Sequence, residues 1–187
     1  MGKCDALIIG GSAGSLDVLL KVLPGLDADL SFPVIIVIHR KNGTDSLLPE
    51  LLSGKTALVV KEIDEKEALL PGTVYIAPSD YHTLIEQDRT FSLDDSEKVN
   101  YSRPAIDVTF QSAAEVYRDR LVCVLLSGSN ADGVNGLKSV KSWGGIAVIQ
   151  DPATARVAYM PQQAALQVKI DYTLPMEDMA EFINLLS

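Results

Sequence analysis

Four short runs rich in Val, Ile and Leu set the strongest limit on what this chain can fold into. They are "ALIIGG" from residue 6, "FPVIIVIHR" from residue 32, "RLVCVLLSG" from residue 120 and "GIAVIQD" from residue 145. None alternates apolar with polar residues, as a strand with one wet face would. Continuous apolar runs of this length suit strands covered on both faces, the situation inside a parallel sheet. Each run is followed by a helical pattern: "SLDVLLKVLPGL", "TDSLLPELLSG", "GVNGLKSVKSWGG" and "MPQQAALQV". Strand–helix alternation of this kind, with right-handed crossovers, predicts an α/β fold with a doubly wound, mainly parallel sheet and helices on both faces.

The middle of the chain departs from that rhythm. In "GTVYIAPSDYHTLIEQDRTFSLDDSEK" two apolar runs lie close together and a polar stretch without helical period follows. This predicts an antiparallel hairpin or edge ribbon around residues 73 to 93 and then a loop. "AIDVTFQSAAEVYRD" resumes as a helix leading into the strand near residue 121. No repeat, low-complexity segment or composition break divides the 187 residues, so residues 1–187 are expected to form a single domain.

A formal net charge of -9 argues against nucleic acid and anionic membrane surfaces as partners. Cys4 and Cys123 are too few and too far apart for a disulfide framework or a metal site, and Cys123 inside "LVCVLL" reads as a buried, inert thiol. No apolar stretch has transmembrane length, and the N-terminus lacks the pattern of a secretory signal, which predicts a cytoplasmic protein without membrane insertion.

Three ligand motifs fail on inspection. The glycine-rich turn after the first run has Ser12 and Ser15 where a dinucleotide fingerprint needs glycines, and the second run ends at His39 rather than at a ribose-binding acid. "SGKT" at residues 53–56 follows a helical pattern, with Pro49 where a phosphate loop begins with glycine. "SNADG" has Gly128 and Ser139 at the first and last ligand positions of a calcium loop.

What remains is Gly10-Gly11-Ser12-Ala13-Gly14, a GxSxG sequence at a strand-to-helix junction. Such a turn either projects a serine nucleophile or simply caps the helix. The other groups weigh toward the nucleophile. His39 ends the second strand and Asp132 lies in the turn after "LVCVLLSG". In a parallel sheet the carboxyl ends of the strands share one edge, so serine, histidine and aspartate are expected to meet there as nucleophile, general base and orienting acid. His82, in the expected ribbon, is the rival histidine. Asp151, at another strand end, is the rival acid, but it precedes Pro152 and reads better as a turn residue. Arg40, Lys41, Arg103 and Arg156 are expected to give the same edge a basic lip. The order Ser–His–Asp, with serine after the first strand, differs from that of α/β-hydrolases.

"PGTVYIAPSDYH", "NYSRPAIDVTFQSAA", "LLSGSNADGVNGL" and "IAVIQDPATARVAYMPQQA" together make the chain similar to the catalytic domain of the CheB-type chemotaxis protein-glutamate methylesterases. The resemblance runs from "LIIGGSAGSLDVL" to "DYTLPMEDMA" and falls on Ser12, His39 and Asp132 as the family's triad. It implies hydrolysis of glutamate methyl esters, and deamidation of glutamines, on cytoplasmic helices of methyl-accepting chemoreceptors, without a metal or organic cofactor. The family's loop before the acid lends an oxyanion amide, which places that role near Ser129 beside one near Ala13. "SAGS" and "GSNADG" depart from the family's Ser-Thr-Gly-Gly and Gly-Met-Gly-x-Asp-Gly patterns. With the first strand beginning by Ala6, the family's phosphoacceptor receiver domain is not expected in this chain. The alternative to a methylesterase is a scaffold module of the same fold that no longer turns over substrate.

Overall fold

The computed structural model describes residues 4–40 and 47–187. Its central feature is a seven-stranded sheet, all of whose neighbouring pairs are parallel. In chain order the elements are β1 (Ala6–Gly11), α1 (Ser15–Val22), β2 (Val34–Ile38), α2 (Leu48–Ser53), β3 (Val59–Glu62) and β4 (Thr73–Ile76). Then come β5 (His82–Ile85), β6 (Phe91–Asp94), α3 (Ile106–Tyr117), β7 (Leu121–Leu125) and α4 (Val134–Ser142). The chain closes with β8 (Ile146–Gln150), α5 (Tyr159–Gln167), β9 (Tyr172–Leu174) and α6 (Met179–Asn184).

The order across the sheet is β3-β4-β2-β1-β7-β8-β9. From β1 the chain first builds outward through β2, then returns to build outward through β7 on the other side. The loops after β1 and β7 therefore part company, and the crevice between them lies at the carboxyl edge where doubly wound sheets bind ligands. The alternating inward positions of β1 divide the interior in two. Leu7 and Ile9 join residues of α1, α2 and α6 in one layer, while Ala6 and Ile8 join α3, α4 and α5 in the other. Both layers are closed to water, which is why β1, β2, β4 and β7 are apolar at every position, Thr73 apart. Each buried Val, Leu or Ile among them contributes about 1.5–3 kcal/mol by leaving water.

The expected hairpin at residues 73 to 93 is half right. Thr73–Ile76 is a buried parallel strand between β3 and β2, and only β5 and β6 pair antiparallel, with His82 opposite Asp94 and Ile85 opposite Phe91. "TVYI" carries the same continuous apolar signature as the other central strands. Its closeness to the next apolar run obscured that. β3 and β9 were not anticipated: they are the sheet's edges, and their exposed positions give them no continuous apolar run. Cys123 is buried, as expected, and burial pushes its thiol pKa well up. Among the described residues, no helix is long and apolar enough to cross a membrane.

Candidate active site

The register of the sheet places the first two site residues. Gly11 of β1 pairs with Ile38 of β2, so Ser12 and His39 are the next residues on neighbouring strands. The His39 backbone N–H donates to the Gly11 carbonyl at 3.2 Å, and the Ser12 N–H donates to the Ser127 carbonyl beyond β7 at 2.9 Å. Both residues are thus fixed by continuation of the sheet's own hydrogen bonding.

The chain then turns sharply into α1. Both the N–H and the hydroxyl of Ser15 donate to the Ser12 carbonyl, at 3.0 and 2.6 Å, and the Ser127 hydroxyl donates to the Ala13 carbonyl at 2.6 Å. Gly14 sits at φ 82°, and a Cβ there would lie 2.8 Å from both Arg156 Cβ and Ser127 Oγ. Glycine is required twice over, by backbone conformation and by space. Gly10 meets a different demand: a Cβ would lie 2.5 Å from Ile106 Cγ2, because α3 packs directly on the end of β1.

The Ser12 hydroxyl lies 3.1 Å from His39 Nδ1, and His39 Nε2 lies 2.6 Å from Asp132 Oδ2. Asp132 is wholly buried and is held from four directions. Its Oδ2 also accepts the Ile106 N–H at 2.7 Å, while Oδ1 accepts the Asp107 N–H at 3.0 Å and the Asn100 side-chain amide at 2.8 Å. Two of these donors are the first amides of α3, where unpaired N–H groups and the helix dipole favour an anion. Burial alone would raise the carboxyl pKa. The hydrogen bonds from His39, the Ile106 and Asp107 amides and Asn100 outweigh it, and the net shift is downward. An ionised Asp132 can only accept at Nε2, and the geometry leaves Nδ1 facing the Ser12 hydroxyl.

An open cavity of about 570 Å³ adjoins this row, lined among others by Ser12, Ala13, His39, Arg40, Tyr101 and Arg103. The sequence-predicted Ser12, His39 and Asp132 are therefore brought together, with Ala13 and Arg103 at the same opening. Ser129 is exposed and stands outside the lining. The basic lip is more self-contained than expected. Arg40 donates to Glu62 and the Ala77 carbonyl, and Arg103 donates to the carbonyls of Asp95 and Ser96 at 2.6 and 2.7 Å. Arg156 pairs with Asp17 at 3.1 Å and borders a separate hollow with Gly14 and Gln150. Lys41 lies outside the described residues.

The rivals have other work. His82 is buried, accepts the Ala105 N–H at 3.2 Å and donates from Nε2 to the Glu97 carbonyl at 2.9 Å, tying the 97–105 loop to β5. Asp151 accepts the Ala153 N–H at 2.9 Å, the turn chemistry expected of an acid before proline. What sequence reading missed is the support for Asp132: Asn100, Asp107 and the amino end of α3. The start of α3 was legible in "AIDVTF", but nothing local says that its free amides face the loop after β7, 25 residues on.

A serine, a histidine and a buried carboxylate in hydrogen-bonded sequence, at the carboxyl edge of a parallel sheet, make up the arrangement of a serine hydrolase. Comparison with known proteins gives the family. The CheB methylesterase family model matches residues 7–183, and the chain belongs to that family. A Leptospira interrogans protein named for protein-glutamate methylesterase and protein-glutamine glutaminase activities is 45% identical over 182 residues, which cover 97% of this chain and 94% of that protein. A Thermotoga maritima protein named for the same two activities is 36% identical over 172 residues, 90% of this chain and 50% of the relative. The crystal structure of the Thermotoga maritima CheB methylesterase catalytic domain superposes with a TM-score of 0.94, at 34% identity and 100% coverage of both chains.

Proposed function

We propose that this chain is a serine-type protein-glutamate methylesterase acting on a methyl-accepting, chemoreceptor-like signalling protein in the cytoplasm. The observation that carries the reading is the continuous row from the Ser12 hydroxyl through His39 to buried Asp132, opening on a cavity wide enough for a side chain presented by another protein. Family membership supplies the ester as substrate class.

In this reading Ser12 Oγ attacks the carbonyl carbon of the glutamate methyl ester as its proton passes to His39 Nδ1. Asp132 holds the ring with Nε2–H toward itself and stabilises the imidazolium that forms. The oxyanion is stabilised by the backbone amide of Ala13 at the cavity wall; Ser129, the second donor that the family resemblance implies, would have to reach it from outside the lining. The Ser12 amide is not available for this, being bonded to the Ser127 carbonyl. The imidazolium then returns its proton to the departing methoxide, releasing methanol and leaving a glutamyl ester on Ser12. Water, deprotonated by the same histidine, hydrolyses that ester and frees the glutamate carboxylate. A glutamine side chain in the same pose would lose ammonia by the same steps. Arg103, pinned by two carbonyls at the cavity wall, places a fixed positive charge where an acidic receptor helix would approach.

The test is methanol release from methyl-labelled chemoreceptor cytoplasmic fragments. Release by the wild-type chain supports the reading. Hydrolysis of small activated esters without any methanol release would replace it with a generic esterase. Failure on both would favour a scaffold.

A further inference from the structure

Asp132 is one of two buried carboxylates at this corner. Asp107, in the first turn of α3, accepts the N–H groups of Gly133 and Gly136 on its Oδ1, at 3.0 and 2.6 Å, and so caps the start of α4. Asp132, one residue ahead of the α4 cap, in turn accepts the first amides of α3. Each acid thus caps the other's helix. Asp107 Oδ2 and Asp132 Oδ1, the latter also holding the Asp107 N–H, converge on a single donor, the Asn100 side-chain amide, at 2.8 Å from each.

Two carboxylates sharing a buried corner oppose each other's ionisation unless a donor stands between them. The opposition is visible at Asp107, whose carboxyl pKa is raised by burial and further by the charge of Asp132, against the amide and Asn100 bonds. Asn100 reaches the corner from a tight turn in which Val99 and Ser102 exchange backbone hydrogen bonds at 3.1 and 2.9 Å. Asn100 and Tyr101, at its tip, have φ 52° and 61°. Asparagine is the residue best suited to the first of these positions, whereas tyrosine is unusual at the second. The turn is also a wall of the Ser12 cavity, through Tyr101 and Ser102.

We propose that Asn100 is a positioning residue for the hydrolysis: its amide bridges Asp107 and Asp132, so that Asp132 stays ionised and locked on His39 Nε2–H. This rests on the Ser12–His39–Asp132 reading of the site. Asn100 acts through Asp132: its side-chain amide donates to Asp107 and Asp132, and not to Ser12 or His39.

Among the described residues, the titratable groups facing Asp132 are His39 from the end of β2 and Asp107 from α3. In Asn100→Ala the two acids lose their shared donor and take up a proton at higher pH. The acid limb of kcat/KM then moves to higher pH, and kcat at neutral pH falls about tenfold with KM unchanged, recovering in alkaline buffer. Removing the second charge, in Asn100→Ala/Asp107→Asn, brings the acid limb back toward the wild-type position, which a purely structural role of the turn does not predict. Asn100→Asp keeps a residue suited to the turn but adds a third carboxylate, and displaces the limb in the same direction as alanine. A wild-type pH profile in Asn100→Asp, or in folded Asn100→Ala, overturns the proposal, as does a double variant whose acid limb stays where Asn100→Ala put it. If the triad reading itself were at fault, Ser12→Ala would keep its activity. If only this inference were at fault, Ser12→Ala would be inactive while the Asn100 variants kept the wild-type profile.

Discussion

Replacing Asp132 by asparagine changes one oxygen to an amine, and the surroundings leave that amine no good place to sit. Both oxygens are acceptors only: Oδ2 takes His39 Nε2–H and the Ile106 N–H, and Oδ1 takes the Asp107 N–H and the Asn100 amide. If the new NH2 occupies the Oδ2 position it opposes the Ile106 N–H and forces His39 into the other tautomer, with its proton on Nδ1 facing Ser12. The base is then lost. If it occupies the Oδ1 position, it opposes the Asp107 N–H and Asn100, and His39 keeps its tautomer but loses a charged partner. Either way one backbone N–H is left buried without an acceptor, at about 1–3 kcal/mol. The surviving bonds drop from charge-assisted to neutral, a loss of roughly 1 kcal/mol each. The expected sum is a destabilisation of about 3–6 kcal/mol, read by urea unfolding. In serine proteases with the same three groups, aspartate to asparagine costs about 10⁴ in rate. Methoxide needs less acid assistance than an amine, so the expected loss is smaller, at least about 10²-fold in methanol release. A folded Asp132→Asn protein within a few-fold of wild type would refute the assignment of the acid.

Asp151→Asn keeps the Ala153 turn bond and is expected to leave methanol release within about threefold of wild type; if it proves more damaging than Asp132→Asn, the two acids have been exchanged. The lowered pKa of Asp132 means that its stabilising contribution is present above the unfolded carboxyl value and lost as pH falls through the folded one. The difference in unfolding free energy between wild type and Asp132→Asn should therefore be greatest near neutral pH and shrink in acid, and a difference that grows in acid contradicts the sign. Gly10→Ala drives a methyl group into Ile106 at the very amides that hold Asp132. It is expected to cost about 1–3 kcal/mol in denaturant melts together with a marked loss of turnover; a stable, fully active Gly10→Ala would show that α3 is free to move away without consequence. His82→Ala is expected to lower thermal stability by loosening the 97–105 loop while retaining measurable methanol release, and complete loss of release in a folded variant would put His82 in the chemistry.

The sheet was legible in the sequence because its central strands are buried on both faces, and burial writes itself as unbroken Val, Ile and Leu. Where that pressure is absent, at the edge strands β3 and β9, the signal was absent too. Ser12, His39 and Asp132 could be placed because each stands just past the end of a central strand, and parallel strands align those ends. The tautomer of His39 was beyond reach, since it follows from which ring nitrogen faces which neighbour. So was the role of Asn100, which lies on a turn between β6 and α3 and reaches Asp132 only through tertiary packing. The pairing of the basic lip was hidden for a related reason. Sequence shows Arg40, Arg103 and Arg156 as charges, but only the fold shows the carboxylates and carbonyls that hold them.

The claim on which the rest depends is that Ser12 and His39 act as one unit. Methanol release from methyl-labelled receptor, measured on wild type, Ser12→Ala, His39→Ala and the double variant under identical conditions, tests it most directly. Groups that work as a unit are lost together, so the three variants are expected to fall to the same residual rate, with the double variant no worse than either single one. A folded His39→Ala protein with wild-type turnover, or losses that multiply in the double variant, would contradict the account and leave Ser12 as a residue of the turn between β1 and α1.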